Sequence, residues 1–342
     1  MLAKALKWSR SKSGWRVMAE PNEDPREVPW HPRMAEAVVG HEAANAQFLK
    51  ALNSGKPHHA WLIHGPKGIG KATLAYHMAG QVLAGTNLTQ ARHWIQNRSH
   101  PDLFVLERQL NESKPRRLKS EIAVDDARQL ARFLSHTSSG GWRVAIVDAA
   151  DDLNAESANA ILKLVEEPPS KVILFLLSHQ PGTLLRTLKS RCLRLVLHPI
   201  GEQTTIQVIN GLPLDPSPQH EELERAARQS GGSPGRALQL LTSQGAKAFA
   251  RFAQISQPKS ADFISIASLF QGRSVGPDEF TIFNDVLLDW LAERASAASN
   301  ASLATAHSQI AASARRTEAF NLDRRQAVLA ELTLVNDALK AS

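Results

Sequence analysis

The stretch His59–Leu83, HAWLIHGPKGIGKATLAYHMAGQVL, decides the fold class of this chain. Its first six residues, His59–His64, form an apolar run that predicts a short strand, and Ala72–Leu83 predicts a helix. Between them, Gly65–Lys71 matches the pattern G-x-x-x-x-G-K, whose glycines let backbone N–H groups face a phosphate while the lysine reaches its oxygens. Strand, glycine-rich turn and helix in this order predict a phosphate-binding loop in a parallel α/β sheet.

This loop lacks one group that a magnesium nucleotide requires. A Ser or Thr directly after the lysine normally holds Mg²⁺, but that position is Ala72, and Thr73 comes one residue later. One residue turns a helix by about 100°, so we expect Thr73 to face away from the metal. The loop can bind a nucleotide without hydrolysing it, or it can be a retained element of the fold. The candidate nucleotide contacts are Gly65, Gly68, Gly70, Lys71 and Thr73.

A second apolar run, Trp142–Asp148, ends in a carboxylate. Buried parallel strands deliver such residues to the carboxyl edge of a sheet, which makes Asp148 a candidate nucleotide-site residue. The next residue is Ala149, where a competent ATPase usually carries the Glu that polarises the attacking water. Asp151 and Asp152 are the nearest substitutes. Because Asp favours helix starts, we expect both to cap the following helix instead.

A third apolar run, Val172–Leu177, is followed by Ser178 and then by Ser190-Arg191-Cys192. Before that run come Asn159-Ala-Ile-Leu-Lys163 and Glu166-Glu-Pro-Pro169. This series, at this spacing after the phosphate loop, resembles the bacterial clamp loaders of the AAA+ ATPase class. The resemblance covers roughly His31 to Ala246, and the missing glutamate points to a subunit that hydrolyses little or no ATP itself.

The resemblance implies a role for several of these residues. In clamp loaders the Ser-Arg-Cys tripeptide projects an arginine finger onto a neighbouring subunit's γ-phosphate, which here is Arg191 flanked by Ser190 and Cys192. Guanidinium suits that role because it stays charged and donates in a fixed fork. Ser178 would be the polar phosphate-sensing residue, and we expect the Cys192 thiol to be buried among apolar groups rather than nucleophilic.

Two further positions depart from the pattern of such motors. A lid arginine usually contacts the nucleotide in a G-S-x-R motif, but Gly235 stands there and the basic side chain moves to Arg236. Relatives often carry a four-cysteine zinc module after the phosphate-loop helix, whereas the corresponding segment, about residues 81–99, has no cysteine. Because the chain has 1 cysteine, we expect no zinc. Because Ala72 and Gly235 stand where a motor carries a hydroxyl and an arginine, we expect ATP with Mg²⁺ to bind weakly or not at all.

Composition and punctuation predict several domains in the 342 residues. Strands (Leu103–Leu106 is another) alternate with helices such as Glu42–Asn53 and Val124–Leu134 up to about Pro199, after which the pattern becomes helical. The predicted domains are an extended or disordered tail 1–33, an AAA+ phosphate-loop domain 34–199, a small helical lid 200–245 and an all-helical collar 246–342. The sequence contains no run of about 18 apolar residues of the kind that would indicate a membrane span.

The first residues are basic, with Lys4, Lys7, Arg10, Lys12 and Arg16. They lack the apolar core of a secretory signal, and we expect Met1–Ala19 to be dispensable, as a tail or as sequence upstream of the true start. The alternative is an arm that binds a polyanion, using Trp8 and Trp15 for stacking.

The resemblance implies a cytoplasmic subunit of a hetero-oligomeric loader, with delta and gamma/tau subunits as partners. Such loaders use ATP to place a sliding clamp on primer–template DNA for a replicative polymerase holoenzyme, although nothing in the sequence resembles a polymerase active site. The rival interpretation is an autonomous ATPase of the gamma/tau type that uses Lys71 and Asp148. A basic DNA-binding module is a third, supported by the net charge of +7 alone.

Overall fold

The protein is described by a computed structural model. The described residues are 8–11, 14–17, 24, 26–85, 87–111, 118–135, 141–255, 258–271, 277–298 and 300–340. The chain divides into two compact units, residues 1–204 and 205–342. Most of the basic start of the chain lies outside the described residues, apart from the backbones of two short antiparallel strands, β1 (Trp8–Ser11) and β2 (Gly14–Val17).

The first unit contains a five-stranded sheet in which every pair of neighbours is parallel. Its strands follow the order β4-β5-β6-β3-β7. They are β3 (Ala60–His64), β4 (Leu103–Glu107), β5 (Arg143–Asp148), β6 (Val172–Ser178) and β7 (Leu193–Val196). The predicted parallel α/β sheet is therefore confirmed.

Helices cover both faces of this sheet, so its central strands are buried on both sides. In β6, Ile173, Phe175 and Leu177 belong to one core cluster, while Val172, Leu174 and Leu176 belong to another. This alternation follows from the two-residue period of a strand. The helices are α1 (Glu42–Asn53), α2 (Lys71–Leu83), α3 (Leu88–Gln96), α4 (Val124–Ser135), α5 (Ala155–Glu166) and α6 (Arg186–Ser190).

Helix α3 lies within the cysteine-free segment of about residues 81–99. It begins at an Asn87 cap that accepts a hydrogen bond from the Gln90 N–H, and its buried Ala91 and Ile95 face the core. Among the described residues, no group of three or more His, Cys, Asp or Glu side chains is arranged to hold a metal ion.

The second unit is helical. Its helices are α7 (Glu202–Asn210, which starts in the first unit), α8 (His220–Gln229), α9 (Pro234–Thr242), α10 (Gln244–Ala253), α11 (Ser260–Ala267), α12 (Pro277–Ala298), α13 (Ala301–Ala319) and α14 (Arg324–Lys340). Residues of α7–α9 form a small apolar cluster, and those of α10–α14 form a larger one. The helical character after the sheet is as predicted, while the exact boundary between lid and collar stays a prediction. Within the described ranges, no helix is both long and apolar enough to span a bilayer.

Candidate functional site

The candidate nucleotide site lies at the carboxyl edge of the sheet. The register pairs His64 at the end of β3 with Ser178 at the end of β6, and Glu107 at the end of β4 with Asp148 at the end of β5. The glycine-rich loop connects β3 directly to α2. The fold therefore brings the loop, Asp148 and Ser178 to one edge, as the sequence predicts.

Glycine is required at the start of the loop. Gly65 has φ +152°, and a Cβ there would overlap the Leu197 carbonyl oxygen and come within 2.7 Å of Ile69 Cδ1. At the other end, Gly70 caps α2 with φ +101°, a conformation that L side chains rarely adopt. Any side chain at these two positions would distort the turn, so the loop depends on glycine for its shape.

Lys71 is folded into the loop itself. Its side-chain Nζ donates to the carbonyl oxygens of Gly65 and Pro66, both at 2.7 Å, and the residue is only 4% exposed. Burial lowers the pKa of Lys71 to about 8, against the opposing effects of Asp148 and Asp151. The ammonium group thus lies near the Asp148 and Asp151 carboxylates at the edge of the sheet. To reach a phosphate, it must give up its hydrogen bonds to the two carbonyl oxygens.

The carboxylate at the end of β5 lies in a buried environment that disfavours its charge. Burial, followed by the Glu107 carboxyl, raises the pKa of Asp148 to about 6, although Lys71 opposes the shift. Its neighbour Ala149 is buried and offers only a methyl group. Ala72 packs against the core beneath the loop, and Thr73 is half-buried. The side chains expected to complete a Mg²⁺ site and to activate water are absent from positions 72 and 149.

Ser178 does not stand free at this edge, because its hydroxyl donates to Asp151 at 2.8 Å. The Asp151 carboxylate also accepts the backbone N–H groups of His179 and Gln180, at 2.6 and 3.2 Å. The prediction that Asp151 and Asp152 cap α5 is wrong. The helix starts later, and the side chain of Asn154 provides its cap by accepting the Ser157 N–H. Asp152 instead pairs with Arg108.

The side chain of Arg191 lies on the surface directly after α6. Its Nη2 pairs with Glu166 Oε1 at 3.0 Å, at the end of α5, and its Nη1 donates to the Thr187 carbonyl at 3.0 Å. The arginine side chain is 41% exposed and that of Glu166 38%. Ser190 donates its hydroxyl to the Thr187 carbonyl. The guanidinium therefore keeps donors accessible to solvent and to another molecule.

Cys192 turns inward beside this surface arginine. It is 8% exposed and belongs to the core cluster on one face of the sheet. Burial raises the pKa of its thiol to about 11, so that the thiolate is scarce at neutral pH. The predicted burial of the Cys192 thiol is confirmed, and its lack of nucleophilic reactivity stays a prediction.

In the second unit, Arg236 is held by α12. Its guanidinium lies 3.1 Å from Asp289 and 3.5 Å from Asp285. The basic side chain displaced from the lid-arginine position is thus paired with carboxylates of its own unit.

A pocket of about 300 Å³ adjoins the loop. Its lining includes Gly40, His41, Leu197 and Ile200. His41 is joined to the loop through a 2.6 Å hydrogen bond between its ring Nε2 and the Ile69 carbonyl. The Leu197 backbone approaches Gly65 from the other side. A small planar group placed here would lie beside the phosphate loop.

Sequence reasoning named Glu166 and Asp151 but missed their contacts with the candidate residues Arg191 and Ser178. Glu166 stands in the Glu-Glu-Pro-Pro run, but nothing local says which residue it pairs with. Asp151 lies 27–32 residues before its partners, so only the folded sheet brings them together.

Comparison with known proteins identifies the α/β region. Residues 40–201 match a family model described as "DNA polymerase III, delta subunit". The chain is 38% identical over 191 residues to the DNA polymerase III subunit delta' of Pseudomonas aeruginosa and 32% identical over 202 residues to that of Escherichia coli. These alignments cover 53% and 57% of this chain. They cover 55% and 58% of the two relatives, so the chain spans little more than half the length of either.

The similarity of fold extends further along the chain. A gamma subunit-related protein of DNA polymerase III from Thermotoga maritima superposes with a TM-score of 0.50. The superposition covers 87% of this chain and 99% of that one, at 15% identity. That likeness supports the AAA+-like fold of a parallel sheet followed by helices. Residues 40–201, which include the glycine-rich loop, Asp148 and Arg191, are thus the part of this chain that is similar to subunits of DNA polymerase III, the delta-prime subunits among them.

Proposed function

We propose that this chain acts as a delta-prime subunit of a clamp loader, one that hydrolyses little or no ATP itself and serves a neighbouring subunit's nucleotide. Its partners would be delta and gamma/tau subunits, and through them the sliding clamp and primer–template DNA. The observation that carries the proposal is a contrast within one domain. Arg191 presents a solvent-accessible guanidinium, while Ala72 and Ala149 leave the chain's own loop without a metal hydroxyl and a catalytic carboxylate.

The contact that holds Arg191 can be exchanged for a phosphate. An exposed ion pair such as Arg191–Glu166 contributes only about 0–1 kcal/mol. Charge-assisted, bidentate hydrogen bonds from a guanidinium to phosphate oxygens are stronger. When a neighbour's γ-phosphate approaches this surface, Arg191 therefore loses little by leaving Glu166. An arginine in this position stabilises the charge that develops as the γ-phosphoryl group is transferred.

The chain's own loop fits a nucleotide only in part. The glycine turn, Lys71 and the adjoining pocket can receive phosphates and a base, which supports weak binding. The donor set does not fit Mg²⁺ as a motor holds it, because Ala72 has no oxygen at the position that normally supplies a hydroxyl. Titration with a fluorescent ATP analogue, with and without Mg²⁺, measures this binding. The Lys71→Ala variant is its control.

The rival function, an autonomous gamma/tau-like ATPase, needs a base and a metal ligand that would have to come from elsewhere in the chain. Asp151 and Asp152 are the nearest carboxylates. Asp151 is engaged by the Ser178 hydroxyl and by backbone N–H groups, and Asp152 by Arg108. These contacts count against the autonomous enzyme.

The test is the Arg191→Ala variant in a loader reassembled with its partner subunits. Loss of an arginine finger can lower the rate at one site by on the order of 10³-fold. In an assembly whose other sites keep their own fingers, we expect a smaller drop in DNA- and clamp-stimulated hydrolysis. Arg186, an exposed arginine at the other end of the same helix, provides the matched control, and a loader assembled with Arg186→Ala should hydrolyse ATP at the normal rate. Equal, undiminished rates in both assembled variants would refute the assignment.

A further inference from the structure

The Asp151 carboxylate gathers donors from the loop that follows β6. Its Oδ1 accepts the Ser178 hydroxyl at 2.8 Å and the Gln180 N–H at 3.2 Å, and its Oδ2 accepts the His179 N–H at 2.6 Å. The Thr183 hydroxyl lies at 3.5 Å from Oδ1 and donates to the Gln180 carbonyl at 2.8 Å. Asp151 itself stands in a short 3₁₀ turn directly after β5. One side chain thus ties the end of β5 to the loop 178–183.

A carboxylate suits this position better than any neutral side chain. Every group that faces it is a donor, and an ionised carboxylate only accepts. Hydrogen bonds to a charged acceptor contribute roughly 1.5–3 kcal/mol, about twice the value of neutral ones. An asparagine here would turn its NH₂ toward at least one N–H or hydroxyl donor. The loop 178–183 therefore depends on the charge of Asp151 as well as on its shape.

The loop is continuous with the helix that precedes Arg191. Lys189 of α6 reaches back to donate to the Pro181 carbonyl at 2.8 Å. Leu184 and Leu188 are buried in the core cluster on the same side of the sheet. Loop 178–183 and α6 are thus joined by both a hydrogen bond and shared packing. Because Arg191 follows α6 directly, a shift of the loop would move the guanidinium.

We propose that Asp151 is a positioning residue for Arg191, fixing the loop 178–183 and with it the direction in which α6 presents the guanidinium. This inference rests on the proposed function of Arg191. In this role the carboxylate acts through its contacts with the loop. Asp151 would then have a role at the carboxyl edge of the sheet even though this chain hydrolyses no ATP.

The experiment compares Asp151→Asn with Asp152→Asn in the reassembled loader, each alone and combined with Arg191→Ala. Asp152 is the matched control because it stands in the same turn but pairs with Arg108. A misplacement of about 1 Å can lower a rate by as much as about 10²-fold. We expect Asp151→Asn to lower the kcat of stimulated ATP hydrolysis by about tenfold, which is well below that limit, and to leave the KM for ATP unchanged. The double variant Asp151→Asn/Arg191→Ala should be no slower than Arg191→Ala alone.

The outcomes separate this inference from the proposed function. If Arg191→Ala hydrolyses ATP normally, the arginine finger itself is refuted. If Arg191→Ala is slow but Asp151→Asn matches Asp152→Asn, or if the effects of the two substitutions multiply, the positioning role is overturned. Should Asp151→Asn fail to fold or assemble, Ser178→Ala removes one donor from the other side and leaves the carboxylate in place. The inference is supported if Ser178→Ala lowers kcat less than Asp151→Asn is expected to, and if this loss disappears when Ser178→Ala is combined with Arg191→Ala. It is overturned if Ser178→Ala leaves kcat unchanged, or if the losses from the two substitutions multiply.

Discussion

Asp148 is a residue whose charge the fold disfavours, and its titration can be measured directly. Burial raises the pKa of the Asp148 carboxyl from 3.8 to about 6 in the folded protein. Between about pH 4 and 6 the folded state therefore binds more protons than the unfolded state, and the free energy of unfolding falls as pH rises. Below this range both states are protonated and the penalty is absent.

Replacing Asp148 by Asn removes that penalty. We expect the free energy of unfolding of Asp148→Asn at pH 7 to exceed that of the wild type by up to about 3 kcal/mol, so that it unfolds at a higher urea concentration. The difference should shrink as pH is lowered through 6 and vanish near 4. Urea unfolding followed at several pH values measures it. A difference that stays constant with pH would show that Asp148 is not the titrating group.

Glu331 presents the same chemistry in the helical unit. The residue is 0% exposed, and burial raises the pKa of its carboxyl from 4.5 to about 8, although Asn284 and Ser313 oppose the shift. The folded state holds a proton that the unfolded state releases between these pH values, so the free energy of unfolding falls as pH rises from about 4.5 to 8.

The Glu331→Gln variant should lack this loss. It keeps the shape of the side chain without an ionisable proton, and its amide can donate to the buried Asn284 Oδ1. We expect its melting temperature to exceed that of the wild type at pH 9 and to match it near pH 4.5. Thermal unfolding at the two pH values distinguishes this from a uniform gain, which would indicate better packing alone.

At the scale of elements, the contact between α10 and α12 depends on one glycine. A Cβ on Gly245 would overlap the Glu279 carbonyl oxygen and lie 2.9 Å from the Phe283 nitrogen. The Gly245 N–H also donates to the Glu279 carboxylate at 2.7 Å. Because the obstacles are mainly backbone atoms, a methyl group can be accommodated only if the two helices move apart.

Gly245→Ala should therefore destabilise the helical unit by about 1–3 kcal/mol, the usual range for overpacking. Gly211→Ala is the matched control in the same unit, since a Cβ there meets only ordinary contacts at 3.5 Å or more. Chemical denaturation of both variants measures the difference. Equal stabilities would show that α10 and α12 do not approach as closely as described.

The elements that sequence could predict are those whose pattern is local. Strands β3, β5 and β6 could be predicted from their apolar runs because both faces of the sheet are buried. The loop could be predicted because its turn requires glycine. Strand β7 was missed, since it lies on the edge of the sheet, three of its four residues are exposed, and one of them is Arg194. The ties from Asp151 to its loop and from Arg191 to Glu166 join residues far apart in the chain, and no local pattern reports them.

At the scale of the whole molecule, the two units match different parts of the prediction. Residues 40–201 of the α/β unit are similar in sequence to a DNA polymerase III subunit family, whereas the solved structure that covers most of the chain is similar in fold alone. The assignment to a clamp loader thus depends on what the first unit does in an assembly. A chain that presents an arginine but lacks its own catalytic groups should work only when partner subunits are present.

The most direct measurement is the rate of ATP hydrolysis as this chain is titrated, alone and into a fixed amount of gamma/tau and delta subunits with clamp and primed DNA. We predict no turnover by the chain alone at any concentration, and a saturating rise in rate with the partners present. Because Ala149 and Ala72 replace the groups that hydrolysis needs, Ala149→Glu combined with Ala72→Thr is the informative companion variant. Turnover that grows in proportion to the unmodified chain alone, and is lost in Lys71→Ala, would contradict the account.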